Sequence, residues 1–528
     1  MHVRIISFVF AFLLSLSAAI LLAFSFPATD ISWLAWFALV PLLIALSFTR
    51  VFSGFFVSYC CGIFSSAIIY DWIFAAPGYQ LLHHAILALI VGLYSGIFGL
   101  IYAHVRNRWR TTVALVCAPF IWVTMEYIRS NVSFLSLPFP TLAHTQYQNL
   151  RMIQAAEFTG AYGISFLIVV VNVAITSVIL ALLSNTRIRD DLNFQTQSAK
   201  GALVMASAAI LLLVGVSVWG QMALNKPQSG KQIRVSVVQG NIGKEMKSNT
   251  RKYADHIMGT YARLTAEALK DSPDLVVWPE AATPGLVLKN LSLQQELVSL
   301  IRQAEQHFLI GSSEYAKFSD EPFDENKYGN TALFFSPSGK LLGQYLKIFL
   351  IPFGEYVPYE DTIHWPEFIV SKESRARDIP GTEFTLFQIE DARFGVVICS
   401  EGAFPNLFRK FVKSGADFML NITNEGWFGE SALHQKVAAS VFRAVENRVP
   451  LARATNTGIS CFINPLGEVY GKVRKQGREI LVDGYLTQDL TLTQKKTIYT
   501  RFGNLFAYLN LMVVVVMIII PFFVRTVR

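Results

Sequence analysis

Charged residues are scarce in this chain. Asp, Glu, Lys and Arg make up 16% of its 528 residues, hydrophobic residues make up 53%, and the mean hydropathy is +0.41. This composition excludes an ordinary soluble globular protein. Cysteine is also scarce, because only five occur and three of them, Cys60, Cys61 and Cys117, fall in long apolar runs. The remaining two, Cys399 and Cys461, do not suffice for a disulfide scaffold, which leaves room for a free reactive thiol.

Several signatures of ligand binding are missing as well. The nine histidines, including the pair His83-His84, show no spacing typical of metal ligands. The sequence has no P-loop and no GxGxxG motif, and its net charge of +8 is not gathered into a basic run. We therefore expect no metal, no nucleotide or other cofactor, and no nucleic-acid partner.

Long apolar runs are what the chain has in abundance. They lie near 5–26, 31–48, 52–74, 85–104, 112–128, 158–183, 202–222 and 504–524. About 20 apolar residues cross a bilayer as a helix, so the pattern predicts a polytopic α-helical membrane domain with eight transmembrane helices. The first run could instead be a cleaved signal peptide, but it is long for one and lacks a clear cleavage site.

The positions of lysine and arginine indicate the orientation of these helices. With a cytoplasmic N-terminus, only Arg129 and Arg151 of the twelve basic residues outside 223–502 fall on the outer side. The ten on the inner side are Arg4, Arg50, Arg106, Arg108, Arg110, Arg187, Arg189, Lys200, Arg525 and Arg528. We therefore predict that both termini are cytoplasmic and that residues 223–502 are extracytoplasmic.

Residues 223–502 have the alternating pattern of an α/β domain. Strand-like runs occur at 233–239, 275–278, 308–311, 331–335, 394–399 and 418–421, and helical patterns at 253–270, 293–307, 406–414 and 433–447. The segment 451–483 is rich in strands and turns. We predict a seven-helix transmembrane region at 1–222, a catalytic domain at 223–502, and an eighth helix with a cytoplasmic tail at 503–528.

Cys399 is the most informative residue of this domain. It ends the apolar run Phe394-Gly-Val-Val-Ile-Cys399 and is followed by a polar, turn-prone pair. A thiol at the end of a strand is one way in which a fold presents a nucleophile to a cleft. A cysteine in such a run is more often a core residue, however, so its partners must decide between the two.

Two further residues have the chemistry that a thiol nucleophile needs. Glu280 follows the buried-strand pattern Leu275-Val-Val-Trp-Pro279, where a partly desolvated carboxylate suits general-base work, although it could equally be an exposed turn residue. Lys347 lies among apolar residues, where it would either meet a counter-charge such as Glu280 or Glu355 or extend its ammonium group to water. A base and a cation beside a thiol support attack on a carbonyl.

With these residues the sequence resembles the nitrilase, or carbon–nitrogen hydrolase, superfamily. The resemblance rests on Val237-Val-Gln-Gly-Asn241, Trp278-Pro-Glu280, Lys347 and Val397-Ile-Cys-Ser-Glu401. It implies a nitrilase-like αββα sandwich with Glu280, Lys347 and Cys399 as its catalytic triad.

Within that superfamily, the combination with membrane helices resembles the apolipoprotein N-acyltransferase family. This resemblance rests on four motifs, namely Ile351-Pro-Phe-Gly-Glu-Tyr-Val-Pro358, Asn424-Glu-Gly-Trp-Phe-Gly429, Arg443-Ala-Val-Glu-Asn-Arg448 and Arg453-Ala-Thr-Asn-Thr-Gly458. Phe139-Pro140 and the glycines at 160 and 163 are also similar to that family.

The resemblance implies a two-step acyl transfer in a multi-pass protein of the bacterial inner membrane, with the catalytic domain on the periplasmic side. Glu280 would accept the proton of Cys399, the thiolate would attack the sn-1 ester of a phospholipid, and Lys347 would stabilise the oxyanion. The thioester would pass its acyl chain to the α-amino group of a diacylglyceryl-modified apolipoprotein. We expect Glu355 and Glu401 to support the triad, the protein to be a monomer, and no cofactor. Candidate substrate-binding residues are Asn424, Trp427 and Phe428.

The sequence departs from the family at Ser400 and at Lys247-Ser248, where aromatic residues are common, and this leaves the role of those positions open. Asp71 and Glu126 lie at or inside predicted span ends and are candidates for function or for plain solvation. The segment 349–370 is either a membrane-resting arm that gates the site or an ordinary apolar loop. Two other classes stay open, namely a membrane-tethered amidase acting on a small amide and a non-catalytic scaffold or transporter.

Overall fold

The computed structural model describes residues 2–185, 197–315, 328–370, 378–493 and 496–523. Arg187, Arg189, Arg525 and Arg528, which entered the charge pattern, lie outside these ranges. The chain divides into two compact units. One contains the residues up to Lys226 together with those from Phe502 onward, and the other runs from Pro227 to Arg501.

The first unit is helical. Its helices are His2–Ser25, Val40–Leu46, Val51–Ile69, Leu81–Arg108, Thr111–Asn131, Leu150–Ile153, Ala156–Thr159, Ala161–Leu182, Ala199–Leu224 and Leu505–Phe523. Short 3-10 turns connect several of them, at Ser32–Trp36, Asp71–Ala75, Ser133–Leu135, Leu142–Gln146 and Leu183–Asn185. Within the described residues, six helices are long and apolar enough to cross a membrane.

The predicted count of eight spans is not confirmed. The run 31–48 forms a 3-10 helix, Ser32–Trp36, followed by the short helix Val40–Leu46 instead of a continuous span. Pro41 lies in the first turn of the second piece, where its missing N–H starts a helix but could not continue one. The last helix, Leu505–Phe523, is apolar, and the part of it with described side chains, Leu505–Ile518, is shorter than the six. The number of spans therefore stays a prediction.

Small residues bring the helices Val51–Ile69 and Leu81–Arg108 close together. A Cβ placed on Gly62 would lie 2.7 Å from the Cβ of Ser95 and 2.9 Å from the Cα of Gly92. Such contacts between backbones are how membrane helices gain packing energy without a hydrophobic driving force between them. Helix Ala199–Leu224 differs, because it exposes large apolar side chains along much of its length, as expected of a surface that faces lipid.

The second unit contains two six-stranded sheets. The first has the order β12-β1-β2-β3-β4-β5 and the second β11-β10-β9-β8-β7-β6. The strands are β1 Gln232–Gln239, β2 Leu275–Val277, β3 His307–Tyr315, β4 Tyr328–Phe335, β5 Leu341–Leu346, β6 Leu386–Ile389, β7 Ala392–Ile398, β8 Phe418–Thr423, β9 Leu451–Thr455, β10 Cys461–Ile463, β11 Val469–Lys472 and β12 Gly484–Thr491. The helices are Lys244–Ser248, Ala254–Ala268, Leu291–Ala304, Pro405–Ser414, Glu430–Asn447 and Ile498–Phe502, the last at the boundary between units.

The sheets pack face to face between two layers of helices. The rings of Phe334 on β4 and Phe394 on β7 meet edge to face with centroids 5.3 Å apart, which places apolar side chains between the sheets. Helices Ala254–Ala268 and Leu291–Ala304 bury their apolar faces on the first sheet around Trp278. Helices Pro405–Ser414 and Glu430–Asn447 pack on the second sheet. This confirms the predicted nitrilase-like arrangement with two sheets.

Parallel pairing decides where the functional loops emerge. Strands β1, β2 and β3 run parallel in the first sheet, and β7, β8 and β9 run parallel in the second. The carboxyl ends of parallel neighbours lie at one edge of a sheet, which is where α/β proteins build binding sites. The residues after β7, β8 and β9 are therefore close neighbours, as the next subsection describes.

Replacing Gly62 by leucine is expected to destabilise the membrane unit, because the added side chain meets backbone as well as Ser95. Overpacking of this kind costs about 1–3 kcal/mol. The matched control is Gly215→Leu, since a Cβ at Gly215 meets no described atom within 4 Å. Thermal unfolding in detergent should show a lower midpoint for the first variant only. Equal midpoints for both would contradict close packing at Gly62.

Candidate active site

Cys399 lies where strand β7 turns sharply into a 3-10 helix, Cys399–Ala403. Its φ of 54° is in the left-handed region, which a residue with a side chain adopts only at a cost. Strained turns between a strand and a helix present nucleophiles in other enzymes. The residue is only 7% exposed, so its thiol lies in a nearly dry environment.

The surroundings of the thiol hold it in the protonated form. Burial raises the pKa of the Cys399 thiol to about 11, and the negative charge of Glu280 adds to that rise. Lys436 and Lys347 act on that pKa in the opposite direction. A thiol of this kind needs a base that takes its proton during the reaction.

Glu280 is positioned by bonds to both of its carboxylate oxygens. It follows β2 after Trp278 and Pro279 and is 6% exposed. Its Oε1 accepts a hydrogen bond from Asn330 Nδ2 at 2.5 Å, and its Oε2 accepts one from the backbone N–H of Asn424 at 2.5 Å. The first donor belongs to β4 of the same sheet, and the second follows β8 of the other sheet. Glu280 is therefore a fixed, buried acceptor and not an exposed turn residue.

Lys347 follows β5 and is fully buried. Its Nζ lies 2.5 Å from Oε1 of Glu355, which supplies the counter-charge that a buried ammonium group needs. Burial alone would lower the pKa of Lys347, but Cys399 when ionised, Glu355 and Glu280 raise it above its ordinary value. The buried Lys347 is therefore paired with a carboxylate and does not extend to water.

Glu355 is held in the loop that follows Lys347. Its Oε2 accepts a hydrogen bond from the backbone N–H of Ile351 at 2.8 Å, so one carboxylate orients both the loop and the lysine. Asp378 is joined to the same loop, because its backbone N–H donates to the carbonyl of Glu355 at 3.1 Å. Burial raises the pKa of Asp378 to about 6, and Glu355 adds to the rise. The predicted contact of Glu355 with the lysine is present in the structure.

Glu401 joins the cysteine turn to the lysine loop. Its Oε2 accepts the backbone N–H of Ile398 at 2.8 Å, and its Oε1 accepts those of Ile348 at 2.7 Å and Phe349 at 3.0 Å. The hydroxyl of Tyr345 donates to it at 2.9 Å. The residue is fully buried, and burial raises the pKa of its carboxyl to about 7. It is therefore more than the cap of a helix.

The three substrate-binding candidates lie after β8. The side chain of Asn424 is 7% exposed and accepts a hydrogen bond from Asn456 at 3.1 Å, while its backbone holds Glu280. Trp427 and Phe428 are half-buried. The ring of Phe428 lies under the ammonium group of Lys436 at 4.3 Å. Whether any of the three binds substrate stays a prediction.

Some residues near the thiol carried no signal in the sequence pattern. Asn330 holds Glu280 with its side chain and Lys347 with its backbone carbonyl, at 2.9 Å. Lys247 donates to the carbonyl of Ala281, and burial lowers its pKa to about 8 while Glu280 acts to raise it. In the sequence Lys247 stands out only as a departure from the family, whereas in the structure its ammonium group interacts electrostatically with Glu280.

The sequence leaves the roles of Glu126, Asp71 and Ser400 open, and the structure gives each of them a location. Glu126 is 6% exposed and accepts hydrogen bonds from Trp122 at 3.1 Å and from the backbone N–H of Leu142 at 2.7 Å, so it ties a loop to its helix. Asp71 begins a 3-10 helix and is exposed. Ser400 is half-buried in the cysteine turn.

The segment 349–370 combines packed and exposed aromatic residues. The ring of Phe353 meets that of Trp365 edge to face at 5.0 Å, and the indole N–H of Trp365 donates to the carbonyl of Pro358 at 2.6 Å. Tyr359 and Phe368 are 55% and 54% exposed. The segment is therefore folded on itself and presents apolar side chains outward.

Comparison with known proteins gives two family matches. Residues 18–174 match the family model for the apolipoprotein N-acyltransferase N-terminal domain, and residues 234–492 match that for carbon-nitrogen hydrolases. The apolipoprotein N-acyltransferase of Geobacter metallireducens is 32% identical over 506 residues, which cover 94% of this chain and 92% of the relative. That of Chlorobaculum tepidum is 27% identical over 517 residues, covering 94% and 93%. Among solved structures, an amidase from Nesterenkonia sp. AN1 matches at 17% identity with a TM-score of 0.39, covering 53% of this chain and 99% of the amidase.

Replacing Glu401 by leucine is expected to destabilise the second unit, because Ile398 would lose the acceptor of a buried N–H, and Ile348 and Phe349 the acceptors of part-buried ones. An unsatisfied buried donor costs about 1–3 kcal/mol, so the thermal midpoint should fall by several degrees. Glu267→Leu is the control, since this exposed carboxylate makes a 3.2 Å ion pair with Arg263 that contributes little. If the two variants unfold at the same temperature, Glu401 does not have this joining role.

Proposed function

This chain belongs to the apolipoprotein N-acyltransferase family, and we propose that it moves a fatty acyl chain from the sn-1 position of a membrane phospholipid to the α-amino group of a diacylglyceryl-cysteine at the N-terminus of an apolipoprotein. This is the last step of lipoprotein maturation. The observation that carries the proposal is the buried thiol of Cys399, flanked by the carboxylate of Glu280 and the ammonium group of Lys347.

The first half-reaction forms a thioester. Glu280 takes the proton of Cys399 as the sulfur attacks the ester carbonyl carbon, and the negative charge moves to the carbonyl oxygen. Lys347 and a backbone N–H near Cys399 stabilise that oxyanion. The carbon–oxygen bond to glycerol then breaks, Glu280 returns the proton to the glycerol oxygen, and a lysophospholipid leaves.

The second half-reaction releases the sulfur. The amine of the apolipoprotein attacks the thioester carbon, Glu280 takes a proton from the nitrogen, and Lys347 again faces the oxyanion. The carbon–sulfur bond breaks, the proton goes to the sulfur, and the product is an amide. The Glu-Lys-Cys triad thus serves a ping-pong exchange in which one acid–base residue works in both directions.

Proton transfer in step with attack fits the electrostatics of the site. A thiol with a pKa of about 11 is almost entirely protonated at neutral pH, so a thiolate forms only as Glu280 accepts the proton. The oxygens of Glu280 are held by Asn330 and by the backbone of Asn424, which keeps the acceptor in one orientation. We propose Glu355 and Glu401 as positioning residues for Lys347 and for the cysteine turn.

The proposal also covers the membrane topology and the oligomeric state of the protein. The charge pattern of the sequence supports an extracytoplasmic, periplasmic catalytic domain at 223–502 between a seven-helix region at 1–222 and a last helix at 503–528, in a multi-pass inner-membrane protein. Because one chain supplies every group of the triad, we propose that a monomer suffices. Asn424, Trp427 and Phe428 remain our candidates for contacts with substrate.

Mass spectrometry of the purified protein incubated with phospholipid tests this function. We expect a fatty-acyl adduct on Cys399 that is absent in Cys399→Ala and is discharged by a diacylglyceryl-cysteine peptide. Cys461→Ala is the matched control, because Cys461 is also buried and burial raises its pKa to about 11, but the main charges acting on it are Arg453, Lys472, Glu425 and Glu479 instead of Glu280 and Lys347. The Cys461→Ala variant should carry as much fatty-acyl adduct on Cys399 as the unaltered protein does.

Two outcomes would reject the transferase. One is an unmodified Cys399 in folded, unaltered protein, and the other is a thioester that water discharges as fast as the peptide does. In the second case the alternative, a membrane-tethered amidase of the nitrilase type, would be favoured and would be tested with small amides.

The segment 349–370 supplies a further prediction about lipid access. Replacing Tyr359, Ile363 and Phe368 together by serine removes apolar side chains that are 55%, 40% and 54% exposed. If they contact lipid, acylation of Cys399 by phospholipid in vesicles should slow roughly tenfold, from lost apolar burial. Alkylation of Cys399 by iodoacetamide should be unchanged.

The matched control for that prediction replaces Leu288 and Leu291, exposed elsewhere in the same unit by 41% and 66%, with serine. It should acylate at the normal rate. Equal acylation by the triple variant and this control would indicate an ordinary apolar loop instead.

A further inference from the structure

Lys436 is a buried cation that the proposed reaction does not use. It lies on helix Glu430–Asn447 and is 6% exposed. Its Nζ makes no hydrogen bond to any residue in the described part of the chain. A buried ammonium group with its donors unsatisfied is costly, so its retention at this depth calls for a compensating charge.

The acidic partner of Lys436, Glu425, is shared with a second cation. Oε1 of Glu425 lies 3.7 Å from Nζ, which is too long for a hydrogen bond. The same oxygen already accepts a hydrogen bond from Arg453 at 2.7 Å. One carboxylate therefore faces two cations, and the cluster of Arg453, Glu425 and Lys436 keeps a net positive charge. The ring of Phe428, 4.3 Å from Nζ, offers its negative face but no full charge.

The helix that carries Lys436 also packs against the thiol's own turn, and the charge of Lys436 acts on the thiol. Helix Glu430–Asn447 packs against the turn that begins at Cys399, and Arg443 on this helix donates to the carbonyl of Ala403 in that turn at 3.0 Å. The groups that act on Cys399 are Glu280, Lys436, Lys347 and Glu355, and of the two cations Lys436 has the larger effect on the thiol. Lys347 is held by Glu355 at 2.5 Å, whereas the Nζ of Lys436 has no hydrogen-bond acceptor among the described residues.

We propose that Lys436 is a positioning residue for acyl transfer, whose ammonium group attracts and holds the sulfur of Cys399 while that sulfur carries negative charge. The inference rests on the proposed role of Cys399 as the nucleophile. When the proton moves from the thiol to Glu280, the charge moves from the carboxylate to the sulfur and stays within reach of Lys436. When the carbon–sulfur bond of the thioester breaks, the sulfur is again the charged leaving group. Lys347 is then free to serve the oxyanion in both steps.

The test measures the reactivity of Cys399 itself and needs no lipid. Full-length protein in detergent is alkylated with neutral iodoacetamide between pH 7 and 10, and the modified Cys399 peptide is quantified by mass spectrometry. Lys436→Met should slow the reaction at least about tenfold across this range, because a neighbouring opposite charge shifts a pKa by about one unit or more. Lys436→Arg, which keeps the charge, should restore most of the rate.

A second reagent separates charge from access. Anionic iodoacetate is similar in size to iodoacetamide, so the ratio of their rates reports the local potential at the sulfur. The rate with iodoacetate divided by the rate with iodoacetamide should fall in Lys436→Met and recover in Lys436→Arg. Other charged groups near the site, Glu280, Glu355, Lys347, Asp378 and Glu401, are unchanged in every variant, so their titration is common to all the profiles.

Lys410→Met is the matched control. Lys410 also lies over an aromatic ring, that of Phe384 at 4.6 Å, but it is exposed and does not act on the thiol. Lys410→Met should leave both measurements unchanged.

If Lys436→Met unfolds the protein, Lys436→Gln takes its place. The proposal is overturned if a folded neutral variant reacts like the unaltered protein, or if Lys436→Arg stays as slow as Lys436→Met. Alkylation requires no phospholipid. The effect of Lys436 on the reactivity of Cys399 can therefore be measured even if the protein does not catalyse acyl transfer.

Discussion

The candidate site depends on one buried carboxylate that joins two loops from different sheets. Glu401 accepts backbone hydrogen bonds from Ile398, at the end of β7, and from Ile348 and Phe349, just after Lys347. These bonds fix the distance between the thiol and the lysine, which neither sheet determines by itself. Because backbone donors in a dry interior must find acceptors, the geometry of the site and the stability of the domain are coupled through the same side chain.

Charge balance is the second constraint on this site. A nucleophilic thiol usually has a histidine as its base, but here the surroundings are two carboxylates and two ammonium groups acting on one sulfur. In a nearly dry interior each of these charges is tolerated only beside an opposite one. Moving a proton from Cys399 to Glu280 keeps the total charge constant, so the reaction can begin without water. In the proposed mechanism, the same dryness would protect the thioester from hydrolysis until an amine arrives.

Much of the fold was predictable because its signals are local. The apolar runs that became β1, β2, β3, β4, β7 and β8 were recognisable in the sequence, as were Glu280 and Cys399 at the ends of their strands. Strands β5, β6 and β12 are short or amphipathic and gave no clear pattern, although β12 pairs with β1 along its whole length. The span expected at 31–48 was wrong as a continuous helix, because a hydropathy average does not register that Pro41 starts a new helix.

The sequence by itself was enough to predict Glu280, Lys347 and Cys399 as a triad, Glu355 and Glu401 as its supports, and the abundance of long apolar helices, because each of these predictions rests on a local motif or run. Only the tertiary structure decided which groups surround them. Asn330 is 50 residues from Glu280 and Asn424 is 144 residues from it, yet both bind its carboxylate. Lys436 and Lys247 resemble ordinary lysines of a polar stretch, yet folding buries Lys436 near the thiol and brings the half-buried Lys247 close to Glu280. Contacts over such separations arise from strand pairing and sheet packing, which no local pattern encodes.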